Sequence, residues 1–491
     1  MKQFLFLKRI IPIALLLLIF ISCDKPGGIR DAIMNHPDSF WHIDFKNYPS
    51  GNSALPIGVF DSGTGGLSVL ADIIDHEELA RESYIYYGDL ANMPYGSYAL
   101  ENNTPLLIEH IMKDVQFLLG NKYYRSGDAR RYETDKSPVK AIVIACNTAT
   151  AYGLDTVRQF LSQAGSDIGV IGVVDAGALG AFGNFSPGEN GTIAVMATDG
   201  TVKSGAYPAS ITRVNKADGQ EENIMVFQQA GIGIAEAIDE SAEAIDRRAT
   251  APRPGYRGPS DTCSGEMKID LRLWDRYDFD LENGAMLFEG DAAAPENIQI
   301  NSVENYIAFH VVSLMEKIRN SPDALPLNSV VLACTHYPFF LETFREEFER
   351  LRNHRENGEY VYRSLIAEDL ILVNPASVVA DQLYDHLSVK GLLSNSEKAE
   401  SEFYVSVPNI LNRNAVLRDD GSFTYEYKYG RKAGDLQEYV KAVPFSRSSI
   451  PADILSRLSW QIPAVYKMMS SFNNQNPRTE YLGDNERIVT E

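Results

Sequence analysis

Two cysteines lie in segments that match each other. One segment reads Val139-Lys-Ala-Ile-Val-Ile-Ala-Cys146-Asn147-Thr148-Ala-Thr150, and the other Leu327-Asn-Ser-Val-Val-Leu-Ala-Cys334-Thr335-His336-Tyr-Pro338. Each is an apolar strand that ends in Ala-Cys and passes through small polar residues into a helix. In a parallel sheet, the carboxyl ends of the strands line the ligand crevice. A cysteine there sits beside a helix N-terminus, whose positive end favours thiolate over thiol. Inverting a carbon centre requires one base to take a proton from one face and an acid to return one to the other. Two matched thiols on separate strand–turn–helix units have the chemistry for that. A plainer reading makes both cysteines small buried core residues. A third joins Cys146 to Cys334 in a disulfide, as an oxidising compartment permits.

The surrounding pattern supplies elements to hold them. Ile57 to Phe60, Tyr84 to Tyr87, Ala141 to Ala145, Ile168 to Val174, Thr192 to Ala197, Ser329 to Ala333 and Ile371 to Val373 are short apolar runs that predict buried strands. Segments of helical periodicity start at Leu67, Leu106, Ala149, Tyr306 and Val378, and Ile454 to Met469 predicts a closing helix. This alternation predicts an α/β fold with a largely parallel sheet. The alternation breaks between about 241 and 299, where Pro252, Pro254, Gly255, Gly258 and Pro259 precede a charged, aromatic stretch. That stretch predicts an insertion. Residues 394–450 are mixed and polar, and 471–491 predict a disordered tail.

The chain has 491 residues, a hydrophobic fraction of 44%, a charged fraction of 23% and a formal net charge of -21. That is globular composition. The acidity argues against nucleic acid as a partner, because phosphate-backbone binding needs a basic patch. Lys2, Lys8 and Arg9, the apolar run Ile10 to Ile21 broken only by Pro12, and Ser22-Cys23 form a lipoprotein-type signal peptide, with Cys23 as the lipidated residue. This predicts a membrane-anchored protein on the extracytoplasmic side, with 24–55 as a tether. An uncleaved anchor is the alternative. No later stretch is apolar enough to span a bilayer. With Cys23 set aside, Cys146, Cys263 and Cys334 are left, and three thiols do not make a disulfide framework. The 8 histidines show no metal-ligand spacing.

In four motifs, and in their order, the chain resembles the aspartate/glutamate racemase family, and glutamate racemases within it. The motifs are Ile57-Gly-Val-Phe-Asp61-Ser62-Gly63-Thr-Gly65-Gly66, Tyr87-Gly-Asp89 running to Pro94-Tyr95-Gly96, Ala145-Cys146-Asn147-Thr148-Ala149, and Cys334-Thr335-His336-Tyr337-Pro338. Weaker echoes lie at Ala197 to Ser204 and at Val373-Asn-Pro-Ala. The resemblance implies two doubly wound α/β domains with an interdomain active-site cleft and no cofactor. The domains would be 56–166 plus 374–470, and 167–373 with the insertion 241–299. Cys146 and Cys334 would transfer the protons, with Asp61 and His336 assisting. Ser62, Pro94, Tyr95, Gly96, Asn147, Thr148, Thr198, Thr201 and Thr335 would hold a glutamate or aspartate molecule. A homodimer is compatible with this reading.

Some residues depart from the family pattern. Gly231 stands where the family often has cysteine, and the acidic residue expected near the second thiol maps to either Asp239 or Glu240. A signal peptide is unusual for an enzyme that supplies D-glutamate to cell-wall synthesis. Two rivals carry over to the structure. One is a dinucleotide-binding enzyme built on Gly63-Thr-Gly65, although Ser68 stands where the third glycine belongs. The other is a non-catalytic lipoprotein that binds an amino acid or a peptidoglycan fragment.

Overall fold

The computed structural model describes residues 28–186, 188–217, 223–291, 294–396 and 400–490. The expected signal peptide and Cys23 lie outside the described residues. The strands are β1 (Ile57–Asp61), β2 (Tyr84–Gly88), β3 (Ala141–Ile144), β4 (Gly169–Gly172), β5 (Gly191–Ala197), β6 (Ile224–Ala230), β7 (Met286–Asp291), β8 (Ala294–Ile300), β9 (Leu327–Ala333), β10 (Arg355–Glu356), β11 (Glu359–Tyr360), β12 (Ile366–Val373), β13 (Glu402–Pro408) and β14 (Val440–Pro444). They form two main sheets. The first has the order β14-β13-β2-β1-β3-β4, the second β12-β9-β5-β6. Every pairing in them is parallel except β13 with the edge strand β14.

Parallel sheets are covered by helices on both faces, so their strands are apolar throughout. Every residue of β1, β2, β3, β5 and β9 is buried. Each sheet reverses its strand order at one point. In the first, β2 and β3 flank β1; in the second, β6 and β9 flank β5. Crossovers diverge at such a point and leave a gap at the strand ends. Asp61 ends β1 and Cys146 follows β3. Thr198 follows β5 and Cys334 follows β9. The sequence-predicted site residues therefore stand at both reversal points. The helix Gly66–Asp75 presses close on the first. A β-carbon at Gly66 would fall 2.6 Å from Asp61 Cβ and 2.9 Å from Ala145 Cβ, so only glycine fits there.

Three boundaries differ from the sequence reading. β4 belongs to the first sheet, so the first domain runs to about residue 172 rather than 166, and the helix Val173–Gly180 starts the passage to the second. The described part of the expected tether is folded: Ile29 and Ile33 of the helix Ile29–Asn35 join the first domain's core, and Tyr48 OH donates to Val139 O at 2.7 Å. The expected disordered tail is packed as well. Asn473 Nδ2 donates to Phe445 O at 2.7 Å, the Ile488 amide donates to Asn473 Oδ1 at 2.9 Å, and Ile488 is 0% exposed. Local polarity hid both segments, because their few apolar residues find partners far away in sequence. The polar stretch 394–450 likewise contains β13 and β14, which extend the first sheet.

The insertion carries the antiparallel pair β7–β8. It packs on the second domain, where Ile245, Ile269, Tyr277, Met286 and Ile298 join the core around the helix Val303–Arg319. Among the described residues, no helix is long and apolar enough to cross a membrane. The packed tail predicts that Ile488→Ala lowers the free energy of unfolding by about 2–5 kcal/mol. Urea denaturation followed by circular dichroism would read the shift, and an unchanged midpoint would contradict the packing.

Candidate active site

Cys146 caps the helix Asn147–Gln163, and its sulfur accepts the Ala149 amide at 3.4 Å. Its thiol also donates to Ser62 Oγ at 3.5 Å. The expected helix-end contact is thus present, but it does not produce a thiolate. Burial, followed by the negative charge of Asp61, pushes the Cys146 thiol up to about 12, and the Ala149 and Ser62 hydrogen bonds do not offset this. Cys146 is a protonated group at neutral pH. Asp61 Oδ2 accepts the amides of Gly63 at 3.1 Å and Gly66 at 3.0 Å, so this carboxylate also caps the Gly-rich turn.

Cys334 has a different setting. Its sulfur lies 3.6 Å from His336 Nδ1. His336 Nε2 lies 3.2 Å from Asp239 Oδ1, and Asp239 Oδ2 is ion-paired with Arg457. Burial alone would lower the His336 pKa, but the contacts with Asp239 and Cys334 outweigh it and raise the imidazole to about 10. Burial likewise works against the Asp239 carboxylate, yet His336 and Arg457 hold its pKa below the usual range. The chain Arg457–Asp239–His336 thus sets an imidazolium beside the Cys334 sulfur, ready to balance a negative charge that forms there. The structure selects Asp239 from the two acidic candidates; Glu240 instead pairs with Arg247 on the surface.

The two turns meet across the domains. Asn147 Nδ2 donates to Ala333 O at 3.3 Å, and Tyr207 OH donates to Asn147 Oδ1 at 3.0 Å. A β-carbon at Gly65 would lie 3.1 Å from Thr335 Oγ1 and 3.6 Å from Asp61 Oδ2. A cavity of about 250 Å³ opens beside Cys334, with Asn147, Thr335, Ser68 and Asn374 in its wall. Cys146, Cys263 and Cys334 are all free thiols, so Cys146 and Cys334 are not joined.

Thr198 and Thr201 pair through their hydroxyls at 3.1 Å where the helix Asp199–Ser204 begins. Thr148 is half-buried on the first turn of its helix. Pro94 and Gly96 lie on an accessible turn that starts with a cis Met93–Pro94 bond. The Tyr95 side chain faces the interior of the first domain, not a ligand. Its hydroxyl lies 2.6 Å from both Asp89 Oδ2 and Asp114 Oδ2. One hydroxyl proton cannot serve both, and burial, followed by the charge of Asp89, raises the Asp114 carboxyl well above its usual range. A substrate would therefore meet Tyr95 through its backbone only. Sequence reasoning missed Tyr207 and Arg457. Neither stands in a motif, and each arrives from a separate helix. Among the described residues, no group of His, Cys, Asp and Glu could hold a metal ion.

The fold and site define a protein of two α/β halves with one buried thiol at each reversal point. No family model matches the chain. Individual proteins do match. The glutamate racemase of Lactobacillus acidophilus is 28% identical over 351 residues, 72% of this chain and 88% of that protein. That of Geobacter metallireducens is 36% identical over 159 residues, 32% of this chain and 48% of its own length. That of Fusobacterium nucleatum is 33% identical over 192 residues, 39% of this chain and 60% of its own length. The more identical matches thus span about half to three-fifths of those relatives. The crystal structure of a Bacillus anthracis glutamate racemase isoform is similar with a TM-score of 0.42 and 21% identity, over 72% of this chain and 88% of that one. The proteins that match this chain in sequence are thus glutamate racemases.

The raised His336 makes stability depend on pH. Its folded value is about 10 against an ordinary 6.5, so its stabilising contribution is complete below about pH 6.5 and is lost as pH rises through 10. The stability difference between the native protein and His336→Gln should shrink over that window. Denaturation midpoints measured from pH 6 to 10.5 would check this, and a difference that grew with pH would refute the ion pair.

Proposed function

We propose that the chain is a cofactor-independent amino-acid racemase that interconverts L- and D-glutamate by proton transfer between two cysteines. The observation that carries this is the unlike pair of thiols on facing domains. Cys146 is held protonated beside Ser62, while Cys334 has an imidazolium partner. In this reading the Cys334 thiolate takes the Cα proton from one face of the bound amino acid. The electron pair delocalises into the α-carboxylate, and the carbon becomes nearly planar. The Cys146 thiol then delivers its proton to the opposite face. The products are the other enantiomer, a Cys334 thiol and a Cys146 thiolate; the reverse reaction restores the starting state.

Other residues take supporting roles. Asp61 accepts the substrate ammonium, which also offsets the charge that holds the Cys146 proton in place. Ser62, Asn147, Thr148, Thr198, Thr201 and Thr335 supply hydroxyl and amide donors to the carboxylates, and the Pro94–Gly96 turn offers backbone amides. The names of the sequence relatives favour glutamate over aspartate as the substrate.

Cα–H exchange in D₂O with L-glutamate, then L-aspartate, tests the reading. Exchange with optical inversion is expected for residues 24–491. Cys146→Ala and Cys334→Ala should each lower kcat by roughly 10²-fold or more, the scale of one acid–base group. Absence of exchange with any amino acid under reducing conditions would leave the cleft as a binding site only.

The lipoprotein-type N-terminus supports a location on the outer side of a membrane, held by lipid on Cys23. Labelled palmitate should enter the full-length protein and not Cys23→Ala; equal labelling of both would remove the anchor.

A further inference from the structure

We propose that Arg457 is a positioning residue for the Cys334 half-reaction, through which the closing helix Ala452–Gln461 holds the second thiol's proton relay in place. The inference rests on the racemase reading and deepens it.

The geometry is a single file of charges from three separate parts of the chain. Arg457 Nη1 pairs with Asp239 Oδ2, Asp239 Oδ1 faces His336 Nε2 at 3.2 Å, and His336 Nδ1 faces Cys334 Sγ at 3.6 Å. Asp239 caps the end of the short helix Ile234–Ile238, followed at once by Glu240 with φ 52° and the insertion. A residue there has little regular structure to fix its carboxylate. Arg457 fixes it, because one carboxylate oxygen goes to the guanidinium and leaves the other on the imidazole. The guanidinium is only 23% exposed and Asp239 26%, so solvent screens this contact less than a surface pair.

Helix Ala452–Gln461 can act from that position because it also borders the cavity beside Cys334. Gln461, Ile462 and Pro463 line that cavity together with Cys334 and Thr335. Arg457 itself is not in the cavity wall and would not touch substrate. It therefore belongs to catalysis only through Asp239 and His336. A shift of this helix would loosen the relay on the Cys334 side and leave Cys146, Ser62 and Asp61 in place.

The test compares the native protein with Arg457→Gln and Arg457→Lys. The first measurement needs no substrate: site-resolved iodoacetamide labelling of Cys334 and Cys146, read by mass spectrometry at pH 7.5. Arg457→Gln should slow Cys334 labelling about 10-fold, the order expected when a charged hydrogen-bond partner is lost. Cys146 labelling should not change, and Arg457→Lys should recover most of the Cys334 rate. The second measurement is glutamate racemisation, where kcat should fall about 10-fold with KM within about twofold. General loosening would speed labelling of both thiols and would overturn the proposal. So would native Cys334 reactivity in Arg457→Gln. If the native protein racemises nothing but the Cys334 labelling pattern holds, the racemase reading fails and the positioning role of Arg457 stands.

Discussion

Two parallel sheets can present chemistry only where their strand order reverses, because elsewhere the crossover helices cover the strand ends. That constraint organises this molecule. β1 and β3 open the gap in the first sheet, and β5 and β9 open it in the second. The register places Ala197 opposite Ala333, so Thr198 and Cys334 emerge side by side. Phe60 lies opposite Ile144, and Asp61 and Cys146 emerge within two residues of that level. Both thiols are buried because the helices that follow them press directly on the strand ends. Burial then decides their chemistry, since a buried thiol stays protonated unless a cation or several donors stand beside it.

The two sites answer that constraint differently. Cys146 has an amide, a hydroxyl and a nearby carboxylate, so its proton stays. Cys334 has an imidazole whose pKa the Asp239 carboxylate and the sulfur itself raise, and Arg457 pairs with that carboxylate. Similar sequence segments thus give unlike groups. The difference comes from His336 within the second segment and from residues outside both: Asp61 for one, Asp239 and Arg457 for the other.

The contact between the domains is polar and narrow. Asn147 reaches Ala333 O and receives Tyr207, while Gly65 leaves just enough room for Thr335. The insertion stays away from this seam and packs behind the second domain through Arg276, which pairs with Glu316 at 2.7 Å and Glu356 at 2.6 Å. The C-terminal helices do the opposite. They extend the first domain's core and also carry Arg457 and Gln461 to the Cys334 side.

Much of this was legible in the sequence, for a physical reason. A buried parallel strand must be apolar throughout, and a residue at its carboxyl end is adjacent in sequence to the strand that positions it. The α/β class, the strand–turn–helix units and the Cys146, Cys334, Asp61 and His336 turns follow from such local patterns. Other features depend on partners far apart in the chain. The pairing of Asp239 with Arg457 spans two domains, and nothing near either residue announces it. The interior direction of Tyr95 depends on Asp114, which comes from another helix. The folded state of Ile29 to Asn35 and of Ile488 depends on a core that other elements of the first domain build. Finally, a helix N-terminus beside Cys146 favours a thiolate on sequence grounds; only the tertiary structure, by burying the sulfur next to Asp61, decided that it keeps its proton.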